Sequence, residues 1–350
     1  MGGIEQRLAV WFAEQLPDAD DVRIEGLDRV EVGHSAETLL VTVVLGGERS
    51  DVVIRVRPEP PGLLEPYDLQ RQFTILRALE ATPVRSPRVL WFEPSGEVLG
   101  REFYVMERLP GRVIERGIPD DVAGDPALAR RMCESMIEQI AAIHLVDPEG
   151  TSLVDLASGR DHLTIELDHW SSEIERVKRG TLPALELLVE ELRARQPEPC
   201  PRITLVHGDT KPGNFAFVDG EVSGVFDWEM ATIGDPLTDI GWAEVNWRFP
   251  GFVTAADGAP NADELVGRWE VLTGIRAPHR PWYRALQGLK IAVILLVGGH
   301  LYGSGHSTDT RLLEMAYGVD PLTQAALADL GIDDGPPSGP VLPASPSSGV

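Results

Sequence analysis
Apolar positions along this chain repeat with two different periods, and each period marks a type of element. Ile4, Leu8, Trp11, Phe12 and Leu16 recur at helical spacing until Pro17 ends the pattern, which predicts a leading helix over 4–16. Val22–Leu27, Leu39–Leu45 and Asp51–Arg57 are short runs rich in β-branched residues and read as strands. Val89–Phe92 and Glu102–Met106 complete an expected five-stranded sheet. Between them, Leu63–Leu79 reads as a helix with Leu69, Phe73, Leu76 and Leu79 on one face.

Past Pro110-Gly111, which reads as a boundary, the period becomes helical. Asp125 followed by Pro126 is a favoured helix start, a capping side chain ahead of a residue whose missing N–H costs nothing there. That helix runs to about Leu145, with Met132 and Met136 as core filler. Further helices are expected over 163–178, 183–195, from Thr238 onward, 261–273 and 282–301, the last apolar nearly all round and so buried. Strands first and helices afterwards predict an α+β protein. Its expected divisions are 1–108 (with 1–17 as the leading helix), 109–331, and a Pro/Gly/Ser-rich end, 332–350, expected to be disordered.

One stretch, Leu205–Asp239, breaks the helical run. An apolar strand over 203–206 ends at His207, followed by Asp209 and, five residues on, Asn214. Phe215–Val218 and Val222–Phe226 are then two apolar runs flanking Asp219-Gly220, a strong hairpin signal. The second run delivers Asp227. Phosphoryl transfer needs an oxygen that orients or accepts the proton of an incoming hydroxyl, and oxygen ligands for Mg²⁺ on the phosphates. Asp209 suits the first task; Asn214 and Asp227 suit the second.

These residues resemble the catalytic core of the protein-kinase-like superfamily. His207-Gly208-Asp209 stands where protein kinases carry His-Arg-Asp, and Asp227-Trp228-Glu229 where they carry Asp-Phe-Gly. The His-Gly-Asp form, with Ile233-Gly-Asp-Pro-Leu-Thr-Asp239 following, resembles the aminoglycoside phosphotransferase family of small-molecule kinases. Within it the likeness is greatest to the kinase-like domains fused to acyl-CoA dehydrogenases. The resemblance implies a two-lobed kinase-like fold, ATP and Mg²⁺ as cofactors, and a small-molecule hydroxyl as acceptor. It makes Asp209 and Lys211 catalytic and Asn214 and Asp227 metal ligands. It also implies nucleotide contacts from the turn at Gly33, Ser35 and Ala36, and from Arg55, which aligns with a phosphate-holding lysine of kinases. The run from Phe103 to Gly111 would be the hinge, where Met106, Glu107 and Leu109 meet adenine.

By residues alone, the Gly33 turn equally suits a plain hairpin, and strand alternation equally makes Arg55 a surface residue. The family usually carries a Glu near position 72 to pair with the strand cation; Gln72 stands here, so either a neutral hydrogen bond or another carboxylate orients Arg55. Asp239 is expected to bond backbone near the catalytic loop, and His144 to satisfy backbone beneath it. Arg248 or Arg284 is a candidate clamp for an anionic acceptor, a hydroxy acid or its thioester, in preference to an aminoglycoside, and both equally suit solvated surface charges. The second function class is a nucleotide-binding pseudokinase or ligand-binding module without turnover.

Charge narrows the partners. With 31 basic and 55 acidic residues the formal net charge is −24, which disfavours nucleic acid and anionic membrane surfaces. The longest apolar run, Ile291–Val297, is too short to span a bilayer. Cys133 and Cys200 are the two cysteines and lack metal-ligand spacing, which leads us to expect a reducing, cytoplasmic setting.

Overall fold
The structure, a computed structural model, describes residues 3–16, 21–30, 37–156, 161–339 and 341. The chain forms two compact units: residues 1–113 with 215–218 and 222–229, and 114–214 with 219–221 and 230–350. An antiparallel sheet in the first and helices in the second make this the expected α+β kinase-like fold. Against the sequence division after 108, the structure continues the first unit to Val113 and returns the later hairpin strands to it.

In chain order the first unit holds α1 (Ile4–Gln15), β1 (Arg23–Val30), β2 (Glu37–Leu45), β3 (Glu48–Val56), α2 (Leu69–Leu79), β4 (Val89–Glu93), β5 (Phe103–Glu107) and β6 (Arg112–Val113). Its sheet has the order β1-β2-β3-β5-β4, all neighbours antiparallel. The apolar stripe predicted on α1 closes one face of it: Leu8, Trp11 and Phe12 join Leu39, Val41, Val43, Val52, Ile54, Phe103 and Val105 in one buried cluster. Trp11 meets Phe103 edge-on with ring centroids 5.0 Å apart. Helix α2 starts six residues later than its periodicity predicts. Pro66 cannot donate a helical hydrogen bond, and Asp68 accepts from Arg71 N at 2.8 Å as the cap.

The second unit opens with α3 (Asp120–Ala123), α4 (Pro126–His144), α5 (His162–Val177) and α6 (Pro183–Ala194). Strand β7 (Thr204–Val206) leads into the hairpin β8 (Phe215–Val218) and β9 (Glu221–Val225), and β10 (Thr232–Gly234) returns to pair with β7. Then come α7 (Leu237–Trp247), α8 (Ala262–Thr273), α9 (Arg280–Gly303), α10 (Thr310–Ala316) and α11 (Val319–Asp329). Asp125 caps α4 as expected, accepting from Ala127 N and Leu128 N at 3.0 Å each.

Helix α9 is the axis of this unit. It is longer than its apolar run suggests, long and apolar enough by length and composition to cross a membrane, but 72% of that window is buried against other helices. Gly241 of α7 permits the closest approach, since a Cβ there would lie 2.7 Å from the Tyr283 backbone of α9. Helices α10 and α11 carry no strong sequence signal and are defined by packing on α9. The C-terminal segment is ordered further than its composition predicts. Gln324 Nε2 donates to Pro336 O at 2.8 Å, and Ser338 N to Asp320 Oδ1 at 3.1 Å, so side chains of α11 supply partners to a chain that has no periodicity.

The hairpin turn takes the conformation that Asp-Gly favours, with φ of 53° at Asp219 and 84° at Gly220. A Cβ at Gly220 would also lie 2.8 Å from Leu128 Cδ1. Gly220→Ala is therefore expected to destabilise the protein by about 1–2 kcal/mol, through left-handed strain plus displacement of Leu128. Urea unfolding of the two proteins measures it.

Candidate active site
In the helical unit the loop 207–209 is built on one buried carboxylate. Asp239, in the first turn of α7, is fully excluded from solvent. Its Oδ2 accepts from His207 N and its Oδ1 from Gly208 N, both at 2.8 Å, which is the backbone role expected of it. His144 differs from expectation. Its Nε2 lies 3.0 Å from Asp239 Oδ2, and its Nδ1 accepts from Trp269 Nε1 at 2.9 Å, so it bonds two side chains and no backbone beneath the loop. Because the indole N–H occupies Nδ1, the ring proton sits on Nε2 and points at Asp239. Burial pushes the Asp239 carboxyl up, but the His144 bond and the loop amides outweigh it and hold the group below the ordinary carboxylate range.

Gly208 itself explains why this chain reads His-Gly-Asp. Its φ is 81°, and a Cβ there would lie 2.5 Å from Met230 O, so no side chain fits. Asp209 follows, 4% exposed. Its Oδ2 lies 3.0 Å from Lys211 Nζ, while its Oδ1 has no hydrogen-bond partner among the described residues. Burial again raises the carboxyl pKa, and the Lys211 ammonium beside it overcomes this and lowers it. Asn214, closing a short 3₁₀ turn, donates from Nδ2 to Asp209 O at 2.8 Å. The structure thus brings Asp209, Lys211 and Asn214 together as one ionised group with one unoccupied oxygen.

The sheet unit builds the other set. Thr38, Arg55 and Tyr104 stand in register across β2, β3 and β5. Arg55 is half-buried and paired, not the surface residue that alternation allowed. Its Nη1 donates to Thr38 Oγ1 at 2.9 Å and its Nη2 to Asp227 Oδ1 at 3.0 Å. Burial works against the guanidinium, and Asp227 with Tyr104 more than restores its charge. Gln72 is buried and bonds the register neighbour of Arg55: Tyr104 OH donates to Gln72 Oε1 at 3.3 Å. The Tyr104 hydroxyl, pushed up to about 12 by burial, stays protonated to do so. Of the two alternatives for orienting Arg55, the structure realises the other carboxylate, Asp227. Asp227 has φ of 65°, a left-handed conformation that Asp tolerates better than bulkier residues.

Met106 is buried on β5, and Glu107 ties that strand to the preceding loop, donating N–H to Arg88 O at 2.9 Å and accepting from Arg88 N on Oε1 at 3.0 Å. Leu109 packs where Gly224 of β9 leaves space: a Cβ on that glycine would lie 2.8 Å from Leu109 Cδ1. Gly33, Ser35 and Ala36 lie outside the described residues. The expected acceptor clamps are corrected by the structure. Arg248 binds Asp329 at 2.9 and 3.1 Å, and Arg284 binds the same carboxylate at 2.9 and 2.7 Å, so both arginines fasten α11 to its neighbours. Neither Asp329 nor α11 had a sequence signal to reveal that pairing.

Two outcomes follow from these charges. Replacing Lys211 with Met removes the cation that lowers Asp209, so the Asp209 carboxyl is expected to titrate at higher pH than in the wild type, read by carboxyl NMR across an acidic series. Asp239→Asn removes a buried charge that holds three donors and is expected to destabilise by about 3 kcal/mol. Since the folded pKa of Asp239 is depressed, its contribution is present above the unfolded carboxyl value of about 4 and is lost as pH falls below it. The wild-type advantage over Asp239→Asn should accordingly shrink in acid, as read by denaturant titration at several pH values.

Comparison with known proteins agrees with this architecture. The Phosphotransferase enzyme family model, APH, matches residues 28–286. Mouse acyl-CoA dehydrogenase family member 10 is 29% identical over 263 residues, 70% of this chain and 24% of that protein. Human acyl-CoA dehydrogenase family member 11 is 27% identical over 289 residues, 78% of this chain and 36% of that protein. The chain thus spans about a quarter to a third of the length of these relatives. Viomycin phosphotransferase of Streptomyces vinaceus is 28% identical over 253 residues, covering 66% of this chain and 74% of that one. Among solved structures, a Ralstonia eutropha protein provisionally assigned as an aminoglycoside phosphotransferase superposes with a TM-score of 0.77 at 24% identity, covering 93% of this chain and 98% of that one. A complex of aminoglycoside phosphotransferase APH(4)-Ia with ADP and hygromycin B superposes at 0.60 and 16% identity, covering 94% and 99%. With a family match across most of its length and the kinase-like fold beneath it, this chain belongs to the APH phosphotransferase enzyme family.

Proposed function
We propose that the protein transfers the γ-phosphoryl group of ATP to a hydroxyl of a small molecule, with Mg²⁺ as its metal. The observation that carries this reading is Asp209: a buried carboxylate, held ionised by Lys211 at 3.0 Å, with one oxygen left without a partner among the described residues. A binding module without turnover has no use for such a group. Small-molecule phosphotransfer is the chemistry of the family, and nucleotide use is supported by the ADP complex of a structural neighbour.

In this reading the acceptor hydroxyl donates its hydrogen bond to Asp209 Oδ1 and its oxygen attacks the γ-phosphorus. The bond from that phosphorus to the β–γ bridging oxygen breaks, ADP leaves, and the proton passes to Asp209 and then to solvent. A carboxylate of lowered pKa is a weak base, so Asp209 serves chiefly to aim the hydroxyl, and the proton moves late. Arg55 holds phosphate oxygens, and Lys211 neutralises charge developing at the transferred group. We assign Asn214 and Asp227 as the metal ligands. Amide and carboxylate oxygens are the hard donors that Mg²⁺ takes, and each side chain has an oxygen outside the bonds described above. When bound, the ion would supply charge neutralisation on the phosphates.

For the acceptor we favour a hydroxy acid or its thioester over an aminoglycoside. A polycation needs carboxylates that are not already satisfied. Glu244, the sole carboxylate between 241 and 249, is taken by Arg280 at 2.5 Å and Arg284 at 3.5 Å. Similarity to proteins named for acyl-CoA dehydrogenation supports the same branch.

The test pairs kanamycin-type aminoglycosides with 3- and 4-hydroxy acids and their CoA esters under Mg·ATP, with product mass as readout. Phosphorylation of the acid series is expected. Efficient turnover of aminoglycosides alone would overturn the acceptor assignment, and no Mg²⁺-dependent product or ATP hydrolysis would overturn the phosphotransferase reading. Asp209→Asn should lower kcat by about 10²–10⁴-fold with nucleotide affinity retained, whereas Asp227→Asn should weaken Mg·ATP binding in calorimetric titration.

A further inference from the structure
Helix α9 carries a lysine in the middle of its apolar sequence. Lys290 is 3% exposed, and seven apolar residues, Ile291–Val297, follow it. Its ammonium donates to Gly208 O at 2.8 Å. The nearest carboxylate oxygen, Glu166 Oε1 of α5, is 3.6 Å away, and Glu166 also accepts from Gln287 Nε2 at 3.2 Å through Oε2. Two indole rings complete the surroundings: Trp242 of α7 with its centroid 4.8 Å from Nζ, and Trp170 of α5 at 5.8 Å.

The geometry points to Lys290 as a positioning residue for the catalytic loop, its ammonium fixing the Gly208 carbonyl and so the peptide plane that delivers Asp209. The inference rests on the phosphotransferase reading. Gly208 has a left-handed φ of 81° and no side chain to anchor it. Its N–H is fixed by Asp239 Oδ1 at 2.8 Å, and its carbonyl by Lys290 Nζ at the same distance. One residue is thus clamped at both polar atoms, from α7 on one side and α9 on the other. A buried ammonium is costly unless well paired, and a well-packed apolar side chain commonly does as well or better for stability alone. Here the one short bond of the ammonium goes to the loop, while its ion pair is longer than a hydrogen bond. The two tryptophan faces stabilise the charge without drawing it off the carbonyl.

Small displacements of a group that aims a nucleophile are expensive in rate, so the clamp should be visible in kcat. Three variants separate the roles: Lys290→Met, Lys290→Arg, and the double variant Glu166→Gln with Lys290→Met. The double variant leaves no buried carboxylate without its cation and keeps the test open should the single variant fold poorly. Two measurements are made on each, Mg·ATP hydrolysis with water as acceptor, and hydrogen–deuterium exchange of the 205–214 segment.

We expect both Met variants to lose about 10-fold or more in kcat, with the KM for ATP little changed. Exchange in 205–214 should speed up, while the body of α9 stays protected. Lys290→Arg should recover part of the rate, because it restores a donor to the carbonyl. Wild-type kcat and wild-type loop exchange in the double variant would overturn the inference, even if its Tm falls, since a merely structural lysine would give that pattern. Absence of any Mg²⁺-dependent hydrolysis in the wild type would count against the phosphotransferase reading, and the exchange data would still decide whether Lys290 holds the loop.

Discussion
The loop that carries Asp209 depends on a carboxylate that is fully buried. Asp239 sits at the start of α7 and presents two oxygens to three donors: the amides of His207 and Gly208 and the Nε2 of His144. A buried charge of this kind is costly unless every lone pair is used, and here the histidine is itself set by Trp269. The chain of contacts therefore runs from α8 through α4 and α7 to the loop, and the loop inherits their rigidity. A segment without regular hydrogen bonding has no other way to hold Asp209 still.

The sheet unit solves a similar problem with a different arrangement. Its cation, Arg55, lies mid-strand with a hydroxyl on each side in register, Thr38 and Tyr104, and a carboxylate at its tip, Asp227. Gln72 then anchors Tyr104. A neutral residue at 72 is compatible with a charged, ordered arginine because Asp227 supplies the negative charge and Thr38 a second hydrogen bond. In this structure the carboxylate that pairs with the strand cation belongs to the hairpin and not to α2.

Charge elsewhere is largely spent on architecture. Asp329 of α11 holds both Arg248 and Arg284, and Glu244 holds Arg280, so several residues suited by type to an acceptor site are occupied within the second unit. Lys290 stands apart from these, because its short contact is to the loop that carries Asp209.

The sequence by itself determined the local elements and the order of polar residues along the loop. Period-two and period-3.6 patterns set the five strands and most helices because burial of one face imposes them. Asp219-Gly220 fixed the hairpin, and Asp209, Asn214 and Asp227 were legible because their spacing is set by that short strand–loop–hairpin, with no dependence on distant parts of the chain. What the tertiary structure decided was every long-range pairing. That His144 would take Asp239 and Trp269, that Arg248 and Arg284 would share Asp329, and that α10, α11 and the segment up to Gly339 would be ordered, depends on which helices meet. Lys290 left a sequence trace, the one charge between Ala285 and Val297 of an apolar helix, but its partner, Gly208, lies 82 positions away. A backbone carbonyl carries no side-chain identity to announce it, so only the folded chain could name it.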